Sequence, residues 1–388
     1  MTEPTIIARI AGAASDIGAA AWNECANPQG GADPHPFTRY EFFAACEQSG
    51  SATSRSGWRP CHLAIEKDGT VQGILPLYLK SHSQGEYVFD HGWADAFERA
   101  GGSYYPKLQA CVPFTPVTGR RLLIAKDAAQ EETRSALFAA GATAVSELSA
   151  SSLHITFMTE DEWKNAGALG YLQRNDQQFH WENRGYANFD EFLAALSSSK
   201  RKNLRKERAA VFAEGVEFDW LTGRDITETH WDIFFDFYMD TGGRKWGRPY
   251  LTREFFSRIG QSMGEQVVLI LARRGEKHIA GALNFAGGGV LFGRNWGCNE
   301  YIPFLHFETC YYQAIEFAIA HKLAKVEAGA QGEHKFLRGY MPVPTYSAHY
   351  IAHAGLRRAV ADYLVTEREA VAEHIEALAE HAPFKKGD

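Results

Sequence analysis

The chain has no Cys-x-x-Cys pair among its six cysteines and no zinc-finger spacing. Structural zinc modules are therefore excluded, and free buried thiols in a reducing compartment are expected. No run approaches the roughly 18 apolar residues that a membrane span needs. The first residues lack both a basic flank and a long apolar core, so they do not read as a secretory signal, and the expected location is the cytoplasm. Walker and Rossmann glycine fingerprints are also missing, which removes the usual NTPase and dehydrogenase readings. A net charge of -7 offers no global attraction for nucleic acid, so any such contact needs a local basic patch.

What is present fits a globular protein with a large core: 45% of residues are hydrophobic and 22% charged over 388 positions, enough for two domains. Aromatics reach 13%, which suits grooves lined with rings as well as cores. Residues 61–79 and 267–285 share one pattern: an apolar strand, a charged turn with glycine, and a second apolar strand with glycine early in it. Each reads as a β-hairpin, and the wide separation points to a duplicated domain. Strands are expected at 87–89, 121–124, 153–158, 290–296 and 325–328. Helices are expected at 128–140, 160–168, 305–321 and 366–380. Asp190 reads as the cap of a helix over 191–196, and Ser197 to Ser199 as the interruption before a second helix over 200–213 that Gly215 stops. The order predicts two similar mixed α/β domains, 1–175 and 176–388.

Residues 327–342 concentrate Gln331, Glu333, His334, Lys335 and Arg338 on a glycine-rich loop after a short strand. Acids, bases and amides at that density on a loop point to a small-molecule or peptide site. Residues 81–93 gather His82, Glu86, Asp90 and His91, with Tyr105 and Lys107 farther on. The plain alternative is an ordered polar loop. No His-x-x-x-His pair occurs in this segment, and no metal is expected. At the expected domain junction, alternation puts His180, Glu182 and Arg184 on one strand face and Trp181 on the other. Asn284, Arg294 and Trp296 follow on the second hairpin and the next strand, and His306 and Glu308 open the helix after it. Arg294, between two aromatics, needs a carboxylate or phosphate, with Glu327 or Glu308 as structural alternatives. The helix over 200–208 carries six bases and one acid, with Arg201, Arg205 and Arg208 on one ridge. It is an anion site or simply a solvated basic face.

Several segments together resemble the bacterial FemAB-like predicted N-acyltransferases of the GNAT superfamily. They are 76–83, 85–90, 104–108, 113–119, 178–181, 305–308 and 329–335, the last reading Gly-Ala-Gln-Gly-Glu-His-Lys. The resemblance covers nearly the whole chain. It implies two tandem GNAT-like domains and transfer of an acyl or aminoacyl group to a small-molecule or peptide amine, possibly a peptidoglycan precursor. The donor would be acyl-CoA or aminoacyl-tRNA, with no tightly bound cofactor and with tRNA as a possible partner. Residues 297–304 stand where coenzyme A-dependent relatives carry a glycine-rich pyrophosphate loop. Here they hold one glycine, a proline and an acid, which weakens the case for coenzyme A. On this basis Glu333 or His334 is the expected base, and Asn284, Arg294 and Lys335 orient the acceptor or stabilise the carbonyl oxygen. Arg201 and Arg205 hold donor phosphates. His82, Glu86, Asp90, Tyr105, Lys107, His180, Trp181, Trp296, His306, Glu308, Gln331 and Arg338 contact substrate. The alternative is a non-catalytic GNAT-like module that binds a peptide or cell-wall fragment.

Overall fold

The structure, a computed structural model, describes residues 6–31, 34–245, 249–329 and 332–385. The chain divides into two compact units, Met1–Asp176 with Pro344–Glu373, and Gln177–Val343 with His374–Asp388. The segment Pro344–Glu373, which the sequence assigns to the second domain, therefore belongs with the first unit. The reason is strand pairing and apolar burial. Strand Met341–Ile351 runs antiparallel to Ser152–Met158, with Tyr346 opposite Met158 and Ile351 opposite Ser152. Helix Ala354–Glu380 then places Leu356, Val360 and Leu364 in one cluster with Trp93 and Tyr104.

Each unit builds the same motif, a strand laid antiparallel against a hairpin. In the first unit Ile6–Ala11 pairs with His62–Lys67, which turns back into Thr70–Leu75. Asp68 and Gly69 both take positive φ (51° and 79°), the twist that a two-residue hairpin turn requires. In the second unit Val216–Thr222 pairs with Val267–Arg274, which turns back into Lys277–Gly287. Strand Val290–Cys298 extends this hairpin antiparallel, Lys325–Glu327 joins it in parallel, and the end of Leu172–Glu182 pairs antiparallel with Lys325–Glu327. The second core forms around Trp181, Phe192, Ile270, Tyr312 and Val326, and Leu204 of the basic helix is buried in it.

Local expectations differ from the structure where side chains override the backbone pattern. Residues 87–89 form no strand; Tyr87 sits at φ 62°, and the flanking Glu86 and Asp90 turn inward onto Lys107. Only Leu123–Ile124 of the strand expected at 121–124 pairs, because Glu162 captures the Arg121 and Leu122 amides. Asn188, not Asp190, caps helix Phe189–Ala195, its side chain accepting from the Glu191 amide. The last helix begins at Ala354 rather than near 366, and the expected helix at 305–321 contains a π-turn over Glu308–Tyr312. Residues Gly260, Ser262 and Gly264 match the letters of a nucleophile elbow, but Ser262 lies inside helix Arg253–Met263 and donates to the Arg258 carbonyl. An elbow needs a strand-to-helix turn, so these residues are structural.

Gly297 has a packing cause of its own, since a Cβ there would fall 2.2 Å from the Phe237 carbonyl oxygen. Gly297→Ala is expected to force the strand and the helix carrying Phe237 apart. It should cost about 2 kcal/mol or more in denaturant unfolding, against a small effect for Gly92→Ala, where the surrounding space is open and φ is not positive.

Candidate active site

Strand Val290–Cys298 pairs with Lys325–Glu327 only through Val290–Phe292, and it runs on from Gly293 without that neighbour. Five polar side chains gather at this point. Arg294 comes from the first strand and Glu327 from the end of the second. His180 stands opposite Glu327 on the next strand, and Asn284 stands opposite Gly293 on the hairpin. Lys335 comes from the short helical turn Glu333–Arg338. The Arg294 guanidinium and the His180 Nδ1 each lie 3.9 Å from a Glu327 carboxylate oxygen. Lys335 Nζ donates to the Gly329 carbonyl at 2.9 Å. Lys335 is 2% exposed, and His180 and Glu327 are each 5% exposed.

Burial sets the charge states. Desolvation, followed by the charges of Lys325, Arg294 and Lys335, pushes His180 down to about 3, so its imidazole is neutral near pH 7. Desolvation, followed by Arg294, lowers Lys335 to about 7, so ammonium and free amine are both populated near neutrality. Asn284 donates through Nδ2 to the Val268 and Ala282 carbonyls, and its buried Oδ1 has no hydrogen-bond partner among the described residues. A guanidinium and an ammonium beside an open acceptor oxygen can stabilise a developing oxyanion and orient an N–H group.

The turn carrying Lys335 also presents His334, half-buried, whose Nε2 lies 2.9 Å from the Tyr311 hydroxyl. Tyr311 reaches it from the π-turn, the kind of helix irregularity common at functional sites. Glu333 is exposed. Arg338 points inward and is spent on holding the turn. It donates to the Tyr312 hydroxyl (3.0 Å), the His334 carbonyl (2.7 Å) and Glu207 (2.8 Å), and its guanidinium stacks 3.5 Å over Phe307. Glu308 is likewise committed, being fully buried and gripped by Arg208 at 2.9 and 3.1 Å. This removes Arg208 from the basic ridge and Glu308 from the candidates to pair with Arg294. Both Arg338 and Glu308, expected as substrate contacts, thus act as braces in this structure. Trp181 faces the core, on the side opposite His180 as alternation requires. Trp296 and His306 line a separate cavity of the same unit. Arg201 is half-buried and Arg205 exposed on the basic helix. Gln331 lies outside the described residues.

The first-unit candidates are brought together, but in the interior. Lys107 donates to Glu86 (2.6 Å) and Asp90 (2.5 Å), Tyr104 donates to Asp90 (2.7 Å), and Lys80 lies 3.4 Å from Glu86. Glu86, Asp90 and Lys107 are all buried and pair with one another in this structure. His82 is half-buried and lies 3.0 Å from the Ser56 carbonyl, and the Tyr105 hydroxyl bonds to Ser83 at 2.8 Å. The cluster continues into a pair that the sequence did not reveal, His154 and His349, with Nδ1 atoms 2.7 Å apart. The positions are distant in sequence and carry no shared motif. Glu207 was also missed; its only signal was that it is the single acid in a run of bases.

Among the described residues no three His, Cys, Asp or Glu side chains come together to hold a metal, and no helix is long and apolar enough to cross a membrane. The model of the FemAB-like family, described as peptidoglycan biosynthesis/recognition, matches residues 13–386. Among solved structures the chain is similar to FemX, with 13% identity, a TM-score of 0.54, and coverage of 88% of this chain and 98% of that one. It is also similar to L-PGS from Bacillus licheniformis, with 10% identity, a TM-score of 0.51, and coverage of 85% and 96%. At these identities the likeness is one of fold, and the expected mixed α/β architecture is the one observed. No curated protein sequence matches the chain.

The histidine pair makes a pH prediction. Burial, followed by Lys107, pushes His154 down to about 3, and burial, followed by His154, holds His349 well below its usual value, with Asp90 opposing both and Arg174 adding to both. In the unfolded chain each titrates near about 6.5. Their neutral forms therefore contribute stability that is complete above that pH and is lost as pH falls toward the folded values. The urea midpoint should drop between pH 7 and pH 5, with a slope of up to about 1.4 kcal/mol per pH unit for each site. In His349→Asn that slope should be shallower.

Proposed function

The chain belongs to the FemAB-like family, and from that premise we propose that it is an N-acyltransferase of the GNAT type. It moves an acyl or aminoacyl group from an acyl-CoA or aminoacyl-tRNA to an amine, with a peptidoglycan precursor as the favoured acceptor. The observation that carries the reading is the convergence of Arg294, Lys335 and Asn284 where strand Val290–Cys298 leaves its neighbour. The amine nitrogen attacks the thioester or ester carbonyl directly, and the C–N bond forms as negative charge grows on the carbonyl oxygen. Arg294 and protonated Lys335 stabilise that charge, and Asn284 Oδ1 accepts an N–H of the amine. His334, held by Tyr311, takes the amine proton, with exposed Glu333 as the alternative acceptor. Collapse breaks the C–S or C–O bond, and the leaving thiol or ribose hydroxyl receives a proton. Placing both partners at one point supplies the rest of the acceleration.

Charge on the basic helix favours the aminoacyl-tRNA donor. Lys202, Arg205 and Lys206 are exposed there, with Lys200 and Arg201 half-buried beside them. The Arg205 pair with Asp190 is long (3.8 Å) and solvent-exposed, so it holds the guanidinium weakly. A second reading, a non-catalytic module that binds a peptide or cell-wall fragment, is favoured by the burial of His180 and Lys335. It predicts binding without product.

Mass spectrometry of the purified protein with a mixed amine extract and either a thioester panel or charged tRNA tests this reading. A new amide is the expected product, and none from either donor would leave the binding module. His334→Ala should lower turnover by roughly 10²- to 10⁴-fold, and a near-normal rate in both His334→Ala and Glu333→Gln would sink the assignment of the base. Because Lys335 acts as a cation, kcat/KM should fall as pH rises through about 7; Lys335→Arg, which stays charged, should abolish that alkaline limb. With charged tRNA as donor, Arg201→Ala/Arg205→Ala should weaken binding and reduce its salt dependence by about two contacts' worth.

A further inference from the structure

The second unit holds a cavity of roughly 360 Å³ beside Trp296 and the start of the helix that opens at Leu305. This volume lies in the range of small-molecule sites. Its walls are mostly rings and branched chains: Trp296, Ile302, Phe304, Leu305 and Phe307. Among the described residues no lysine or arginine lines it. The one carboxylate among the described lining residues, Glu300, is already held by Arg274 at 2.7 Å and Lys277 at 2.6 Å. Among these described residues a phosphate entering here would shed its water without gaining a cation, and it would face a carboxylate.

Two further features mark the rim. Tyr301 is 91% exposed and Phe304 is 38% exposed, an unusual outlay of aromatic surface on one short loop. Phe304 also sits at φ 67°, a left-handed conformation that costs a bulky residue energy and tends to occur at functional positions. One wall of the cavity packs toward the turn carrying His334, since the Trp296 ring lies 5.2 Å from the His306 ring, which lies 6.2 Å from that of His334.

We infer that this cavity receives an uncharged apolar group, the aliphatic or aromatic body of the transferred acyl group, and that it is not a phosphate subsite. The inference rests on the acyltransferase reading for the identity of the occupant, but not for its chemistry. The probes are neutral amides (butanamide, hexanamide and octanamide), with butylamine, inorganic pyrophosphate and coenzyme A as competitors, followed by NMR titration of the full chain. Each added pair of methylenes should tighten binding about tenfold. Tyr301→Ala and Phe304→Ala should each weaken octanamide several-fold; because Tyr301 is almost wholly exposed, its variant should keep the parent melting temperature. Three results would overturn the inference: an affinity flat along the series, displacement of octanamide by pyrophosphate or coenzyme A, or tighter binding of butylamine than of butanamide. The last would make the site an aromatic cage for a cation. Chain-length-dependent binding with no amide product from any donor would leave the apolar site standing and remove the acyltransferase reading. Product formed at a rate indifferent to chain length and to both variants would do the reverse.

Discussion

The pair between Arg338 and Glu207 is the constraint on which the candidate site depends. The turn Glu333–Arg338 has glycines at both ends, with Gly332 at φ 117° and Gly339 at φ 89°, so its own backbone does little to fix it. One buried guanidinium supplies the restraint, reaching the basic helix through Glu207, the π-turn through the Tyr312 hydroxyl, and its own turn through the His334 carbonyl. Tyr312 donates to the same carboxylate, so the three elements share one hydrogen-bonded centre. Such a centre is worth more for geometry than for net stability, because much of the Coulomb gain repays desolvation. What it fixes is the position of Lys335 and His334 relative to Arg294.

Two buried lysines show how environment sets charge. In the first unit Lys107 is buried, yet its pKa is raised, because Glu86 and Asp90 outweigh desolvation. In the second unit Lys335 is equally buried, and its charged neighbour is Arg294, so desolvation and repulsion act together to bring it to about 7. The first arrangement sets one ammonium between two carboxylates. The second keeps an amine poised to change charge near neutrality, the condition expected where a group must respond to chemistry.

Much of the architecture was legible in the chain. The duplicated hairpins follow from strand alternation around turns that positive-φ residues can make, and both form. The helix over 160–168 was readable from Thr159 and Glu162, which close a capping box at its start. The candidate site was legible only as a neighbourhood: Asn284, Arg294, His180 and Lys335 were all named from polar residues beside apolar strands, and the structure places them near one another. Roles were less legible. Arg338 and Lys335 sit three residues apart in one loop, and nothing local says that one braces the turn while the other faces Arg294. The acidic and basic residues at 86, 90 and 107 looked like a binding loop because a sequence does not show which charges will cancel in the interior.

The sequence by itself determined the repeated α/β pattern, the basic helix and the loop on which ionisable groups would meet, because these depend on local periodicity and composition. Only the tertiary structure decided that residues 344–373 return to the first unit, that Glu207 and Tyr312 hold Arg338, and that His154 meets His349. It also decided the charge of Lys335 and the apolar lining of the cavity at Trp296. Desolvation and ion pairing depend on which distant segments come into contact, and that information resides in the packed chain rather than in any window of it.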